Sequence, residues 1–188
     1  MLGLCNVTRF SQLKFINPDT DSEHTIRMQI YALEIYNKFP DIPIKDIIYR
    51  ILLHDMDEAV LCDIPRNVKY YSDDSLKLIN NIADDVLMKS GINSDIIHDI
   101  RTAKHTGDSW DSLIKYLDVY DAHYKLIVEY RLQYDKKLIP RIIESFNYLK
   151  SIIESSFNEY DPKLKEYLLN DFEEVKGEFD SILSKQKI

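Results

Sequence analysis

Hydrophobic positions recur along this chain at helical spacing almost from end to end. Ser22 to Phe39 carries Ile26, Ile30, Leu33 and Ile35 in a helical pattern, with Ser22 able to cap its start and Glu23 in the first turn, where a carboxylate suits the helix dipole. Pro40 ends it, and the segment from Pro40 to Pro43 is a short connector. Ile44 to about Val60 predicts a strongly apolar second helix with Ile47, Ile48, Ile51, Leu52 and Leu53, broken by Asp63-Ile64-Pro65. Asp73 or Asp74 caps a third helix that runs through Lys89 and stops at Gly91, a natural residue just past a helix end. Asn93 to His105 predicts a fourth. A turn at His105 to Asp108 follows, then a long helix capped by Asp108 or Ser109 and reaching about Tyr134. Two further amphipathic helices are split by Pro140 and by Asp161-Pro162. No repeat, low-complexity tract or long linker interrupts the pattern, which predicts a single all-α domain over residues 1–188.

Composition narrows what such a domain can do. At 188 residues the chain suffices for one well-buried core, and its 45% apolar and 30% charged content is that of a folded protein. It has only four glycines and no stretch resembling GxGxxG or GxxxxGK[ST], so the common backbone cradles for nucleotide phosphates are missing. The net charge of −8 repels a phosphate backbone and argues against extended nucleic acid as a partner. A small phosphorylated substrate remains compatible, because a metal ion and one or two basic side chains reverse the field locally. The two cysteines, Cys5 and Cys62, stand in no CxxC spacing and read as reduced thiols. The N-terminus MLGLCNVTRF lacks a signal-peptide layout, and no run of about 20 apolar residues could span a bilayer. A cytoplasmic protein without a membrane partner is expected.

The chemistry concentrates after Leu53. His54 lies three residues beyond Ile51 and Asp55 four beyond it, so both lean toward the buried stripe. Glu58 extends that polar face by one turn. Ionisable groups against a core are costly unless paired or bound to a cation, and imidazole with carboxylate suits a first-row metal. A buried hydrogen-bonded pair at a helix end is the plainer reading, and the HD dipeptide alone is weak: the chain carries a second one, His98-Asp99, with no carboxylate on the following turn. His24 stands four residues before Met28, near the apolar stripe of its helix. Asp118 stands mid-helix four residues after Ile114, where a short carboxylate cannot reach water and needs a cation if it points inward. Asp121, one turn on, competes with it.

The ordered set His24, His54-Asp55 and Asp118 resembles the H…HD…D pattern of the HD-domain phosphohydrolases, and more closely that of the HD-domain 5′-deoxynucleotidases. Ser22-Glu23-His24 is similar to their SEH, and His54-Asp55-x-x-Glu58-x-x-x-x-Asp63-Ile64-Pro65 to their HDxxExxxxDxP. Asn67-Val68-Lys69-Tyr70 resembles the PVKY that follows, with Asn67 in place of proline. Arg9-Phe10 matches an arginine-aromatic pair, with Phe10 in place of tryptophan, and Asp118, Ala122 and Lys125 fit a DxxxAYxK stretch that favours Asp118 over Asp121. The match covers roughly residues 8–130, while the C-terminal helices over 137–188, expected to pack on this core, resemble nothing specific.

The resemblance implies an HD-type bundle of about six to eight helices and one divalent transition metal (cobalt, manganese, zinc or similar) held by His24, His54, Asp55 and Asp118. It implies that Glu58 orients or deprotonates the attacking water. Asp63 accepts a hydrogen bond from a sugar hydroxyl, Arg9 pairs with phosphate through its guanidinium fork, Lys69 is a weaker phosphate contact and Phe10 packs on sugar or base. The activity implied is that of a 5′-deoxynucleotidase, which converts a deoxynucleoside monophosphate and water to deoxynucleoside and phosphate. The alternatives are a deoxynucleoside triphosphate hydrolase on the same scaffold and an inactive nucleotide-sensing or protein-binding module. His105 is a minor candidate for a substrate contact. His123 and Trp110 read as packing residues. Tyr120, Tyr124, Tyr130 and Tyr134 suggest helix faces or an oligomer interface, and family analogy suggests a homodimer.

Overall fold

The computed structural model describes residues 7–10, 12–62, 64, 66–69, 71–103, 106–157 and 162–185, with the side chains of residues 66 and 67 excepted. The α-helices are α1 (Asp21–Lys38), α2 (Ile44–Leu53), α3 (Glu58–Leu61), α4 (Arg66–Lys69) and α5 (Asp73–Lys89), then α6 (Ser94–Thr102), α7 (Asp111–Gln133), α8 (Ile139–Ser156) and α9 (Pro162–Lys185). Seven are long, within the expected number; α3 and α4 are single turns. Among the described residues the only β pairing is an isolated antiparallel bridge between Thr8 and Thr20. The fold class is all-α, as the hydrophobic pattern predicts. The chain divides into two compact units, residues 1–108 and 109–188.

In the first unit α1 packs on α2, α2 on α6, and α5 on α3, α4 and α6. Ile47 and Ile51 of α2 are completely buried, and each such burial contributes about 1.5–3 kcal/mol. Beyond them Leu53, Leu87, Ile97, Ile100 and Ala103 form a cluster, with Met56, Val60 and Ile92 against it. Arg50 is buried in α2, donating from Nε to the Ala103 carbonyl (2.9 Å) and from Nη1 to both Asp108 oxygens (3.0 and 3.1 Å). It ties α2 to the chain leaving α6.

Three local readings need correction. The α1 face that is buried carries Asp21, His24, Thr25, Met28, Ala32 and Ile35, while Ile26, Ile30 and Leu33 are exposed. Two stripes on α1 have helical spacing, and hydrophobicity alone ranks the wrong one first, because the buried stripe mixes apolar side chains with the polar groups of the site. The second helix stops at Leu53, residues 54–57 form turns, and the helix resumes only for α3. The caps also shift: α1 is capped by Thr20, whose oxygen accepts from the Glu23 amide while Glu23 accepts from the Thr20 amide. Ser72 caps α5, and Trp110 holds the cap position of α7 without a side-chain bond. The start of α6 at Asn93 and the end of α5 at Ser90-Gly91 are as expected, Gly91 adopting φ +83°.

In the second unit α8 packs on α7 and α9. Phe146, Phe172, Phe179 and Tyr130 pack ring to ring, with centroids 5.6–5.9 Å apart. His123 lies edge-on to Phe146, 4.0 Å between centroids. Its Nδ1 bonds Ser145 and burial pushes its pKa down to about 4, so it is a neutral packing histidine, as expected. Trp110 is half-exposed at the head of α7.

Candidate metal centre

The donor atoms come together where the start of α1 meets the end of α2. His24 sits in the first turn of α1, fixed by the Thr20 and Glu23 capping box. His54 follows the last residue of α2, and Asp55 lies in the turn after it. All three are at least 96% buried. His54 Nδ1 is 2.7 Å from the Ile51 carbonyl oxygen. That oxygen can only accept, so Nδ1 carries the proton and Nε2 keeps the lone pair of a metal-competent tautomer. His54 Nε2 then lies 3.3 Å from His24 Nε2 and 3.0 Å from Asp55 Oδ2, with 3.8 Å from His24 Nε2 to the same carboxylate oxygen. One donor atom from each residue falls within 4.8 Å of the others. Two imidazoles and a carboxylate converging in a buried place fit a zinc-, cobalt- or manganese-type cation and are less suited to calcium or magnesium.

A second group overlaps the first: Asp21, Asp55 and Glu58 also bring one oxygen each within 4.8 Å. Arg9 joins them, its Nη1 donating to Asp55 Oδ2 (3.0 Å) and Asp21 Oδ1 (3.4 Å). Asp21 is fully buried, and that desolvation pushes its pKa up to about 6 against the pull of the Arg9 charge, with the neighbouring Asp55 adding to the rise. Sequence reasoning missed Asp21. The signal was there: it stands three residues before His24 on the buried stripe, a carboxylate placed against a core.

Glu58 opens α3, its side chain only 14% exposed. Lys69 of α4 stands 3.8 Å from Glu58 Oε1 and 3.7 Å from Asp57 Oδ2, so it sits among the acids of the site. Arg101 also reaches Asp57 (3.3 Å) and anchors to Asp84. Phe10, in the left-handed region at φ 55°, packs on Phe15 (5.2 Å between centroids) beneath the Arg9 guanidinium. Asp63, Tyr70, Lys104 and His105 lie outside the described residues, as do Cys5 and the side chain of Arg66. Asp118 belongs to the second unit, on α7, where Lys115 Nζ donates to it at 2.7 Å; one cation on it is an ammonium. Asp121 is completely buried. The second HD pair behaves differently from the first: His98 is exposed, and Asp99 accepts from the Tyr49 hydroxyl at 2.6 Å.

In fold the chain is similar to the HD phosphohydrolase DatZ of cyanophage S-2L, solved with dA and one catalytic Zn2+ ion. The TM-score is 0.70 at 17% identity, over 93% of this chain and 92% of that one. It is also similar to an HD-domain phosphohydrolase from Listeria innocua (TM-score 0.59, 14% identity, 89% and 94% covered). A conserved hypothetical protein from Pyrococcus furiosus scores 0.58 at 18% identity, with 82% and 86% covered. No sequence among the curated proteins matches significantly. These likenesses, with the donor set, define the class: a helical HD-type phosphohydrolase fold. The profile described as 5′-deoxynucleotidase YfbR-like matches residues 1–174, and the chain belongs to that family. It is accordingly a metal-dependent phosphohydrolase acting on deoxynucleotides.

Proposed function

We propose that the chain hydrolyses deoxynucleoside 5′-monophosphates to deoxynucleoside and inorganic phosphate. The observation that carries this reading is the convergence of His24, His54 and Asp55 with Glu58 and Arg9 beside them. His24, His54 and Asp55 hold one divalent transition metal, and Asp118 is the fourth ligand on the strength of the sequence pattern. When bound, the cation supplies Lewis acidity and a template for phosphate oxygens. The dA and zinc in the DatZ structure support a deoxynucleotide substrate and that choice of metal.

The chain's own groups do the rest. Glu58 takes a proton from water as the water oxygen bonds to phosphorus and the bond from phosphorus to the 5′ oxygen breaks; that proton passes from Glu58 through solvent to the leaving oxygen, which becomes the deoxynucleoside hydroxyl and restores the Glu58 carboxylate. Lys69 lies 3.8 Å from Glu58 and 3.7 Å from Asp57, an ammonium set beside the acids of the site. Arg9 binds a phosphate oxygen through its guanidinium fork, Phe10 packs on sugar or base, and Asp63 holds the sugar hydroxyl. The engagement of Lys69 by two acids also favours the monophosphate, since it leaves fewer cations for further phosphates.

A homodimer belongs to the same reading, supported by the exposure of Tyr124 on α7 and of Tyr134 just past its end, and the elution volume of the purified protein checks it. So does a cytoplasmic location, supported by two cysteines that stand in no CxxC spacing. The test of the activity is phosphate release from dAMP, AMP and dATP with added cobalt or manganese. Inorganic phosphate from dAMP, faster than from AMP, is expected. Faster release of triphosphate from dATP overturns the monophosphate reading, and absence of both bound metal and turnover leaves only the inactive module.

A further inference from the structure

We propose that Asp21 is a positioning residue that holds the Arg9 guanidinium beside Asp55 and so sets the affinity of the site for phosphate; this rests on the reading of Arg9 as a phosphate contact. An aspartate at the first position of a helix ordinarily serves the cap or the dipole from the solvent side. Asp21 has no solvent exposure, and the cap of α1 is already made by Thr20 and Glu23. Its carboxylate turns instead to Arg9, with Oδ1 3.4 Å from Nη1, while the buried Oδ2 has no hydrogen-bond partner. A buried carboxylate oxygen left in that condition costs folding free energy that an apolar side chain at the same place would not.

The backbone around it is arranged to the same end. The segment carrying Arg9 is zipped to the start of α1: the Arg9 amide donates to the Asp19 carbonyl (2.9 Å), the Asp21 amide to the Val7 carbonyl (3.1 Å), and Thr8 bridges Thr20 between them. Asp19 is occupied by Arg27, which donates to both its oxygens (3.0 and 2.7 Å). Arg9 is thus delivered opposite Asp21, with Asp55 as the second anchor of the same Nη1. Asp21 stands outside the His24, His54 and Asp55 donor set but shares Asp55 with it through the overlapping Asp21, Asp55 and Glu58 group, so metal content is measured beside phosphate affinity in every variant. A long arginine side chain fixed in this way loses less freedom when it binds an oxyanion.

The two effects of Asp21 on phosphate have opposite signs, which makes the inference testable. As a bare negative charge it repels an anion, and its removal would tighten phosphate binding. As the anchor of Arg9 it favours the anion, and its removal weakens binding. Calorimetric titration of the metal-loaded protein with inorganic phosphate, in wild type, D21N, R9A and D21N/R9A, separates them. We expect D21N to weaken phosphate binding and raise KM for dAMP by about tenfold, with kcat changed by less than about twofold and metal content unaltered. In the R9A background D21N should add nothing, because the two residues act as one unit. Tighter binding in D21N, binding equal to wild type, or a full loss repeated in R9A overturns the inference; the coupling is read in the double variant whatever D21N does to stability. Phosphate binding with this coupling but no turnover of any deoxynucleotide sinks the proposed function alone. Turnover without the coupling sinks the role of Asp21 alone.

Discussion

The chain contains the dipeptide His-Asp twice, and the two copies have opposite fates. His54-Asp55 ends α2 over two fully buried isoleucines, and its side chains meet His24 and Arg9 in the interior. His98-Asp99 lies within α6, where His98 points to water and Asp99 takes a surface hydrogen bond from Tyr49. The dipeptide therefore carries no chemistry by itself. What differs is the placement: His54 and Asp55 follow the last turn of α2 and are both buried beside the start of α1, whereas His98 and Asp99 lie within α6 with His98 on its solvent face. The local context also differs, since the Ile51 carbonyl selects the tautomer of His54.

Substitution at the two copies should separate them most sharply in metal content. His54→Ala or Asp55→Ala should lower metal affinity and turnover by more than about 100-fold, because even a partner one shell out from a metal is worth 10–100-fold; elemental analysis beside phosphate release measures both. Glu58→Gln should keep the metal and lower kcat by about 10²–10⁴-fold, the range for a lost general base. A Glu58→Gln protein that loses metal in parallel would make Glu58 a ligand.

Packing beneath the active copy is tested by Ile51→Ala. Its side chain is fully buried, so denaturation should show a loss of about 2–5 kcal/mol. The carbonyl that orients His54 survives the change, and the folded variant should still bind metal.

His123 sharpens the comparison from a third side, being buried with no metal-capable group around it among the described residues. Its folded pKa of about 4 lies below the ordinary value of 6.5, so the unfolded chain binds the proton more readily between those values. Stability from this residue is therefore full above pH 6.5 and is lost as pH falls toward 4, by at most about 3 kcal/mol. His123→Leu should flatten that part of the stability profile in chemical denaturation at stepped pH. The smallest effect belongs to the second dipeptide: His98→Ala should leave metal content and turnover unchanged and shift stability by no more than about 0.5 kcal/mol.

Much of the fold was legible because α2 and α5 to α9 carry one dominant hydrophobic stripe, with a stop signal at Gly91 and start signals at Pro140 and Pro162, which stand in the first turns of α8 and α9. The pattern failed on α1, where two stripes compete and the one bearing Ile26, Ile30 and Leu33 is the solvent face. It failed again after Leu53, since no proline or glycine marks the break of α2 and only the burial of consecutive polar groups demands it. At the site, His54 and Asp55 were readable from their spacing to Ile51. His24 was readable from its spacing to Met28, though on a face ranked second. Asp21 was not read, because an acid at a helix start has an innocent explanation that only three-dimensional burial removes. The pairing of Lys69 with Glu58 was equally invisible, as it joins α4 to α3 by side-chain reach.

The central claim is that one divalent cation is held by the His54-Asp55 copy. Its most direct test is calorimetric titration of metal-stripped protein with zinc, in wild type, His54→Ala and His98→Ala. One equivalent bound by wild type and by His98→Ala, with none bound by His54→Ala, is the predicted result. Zinc bound by His54→Ala as tightly as by wild type would contradict it.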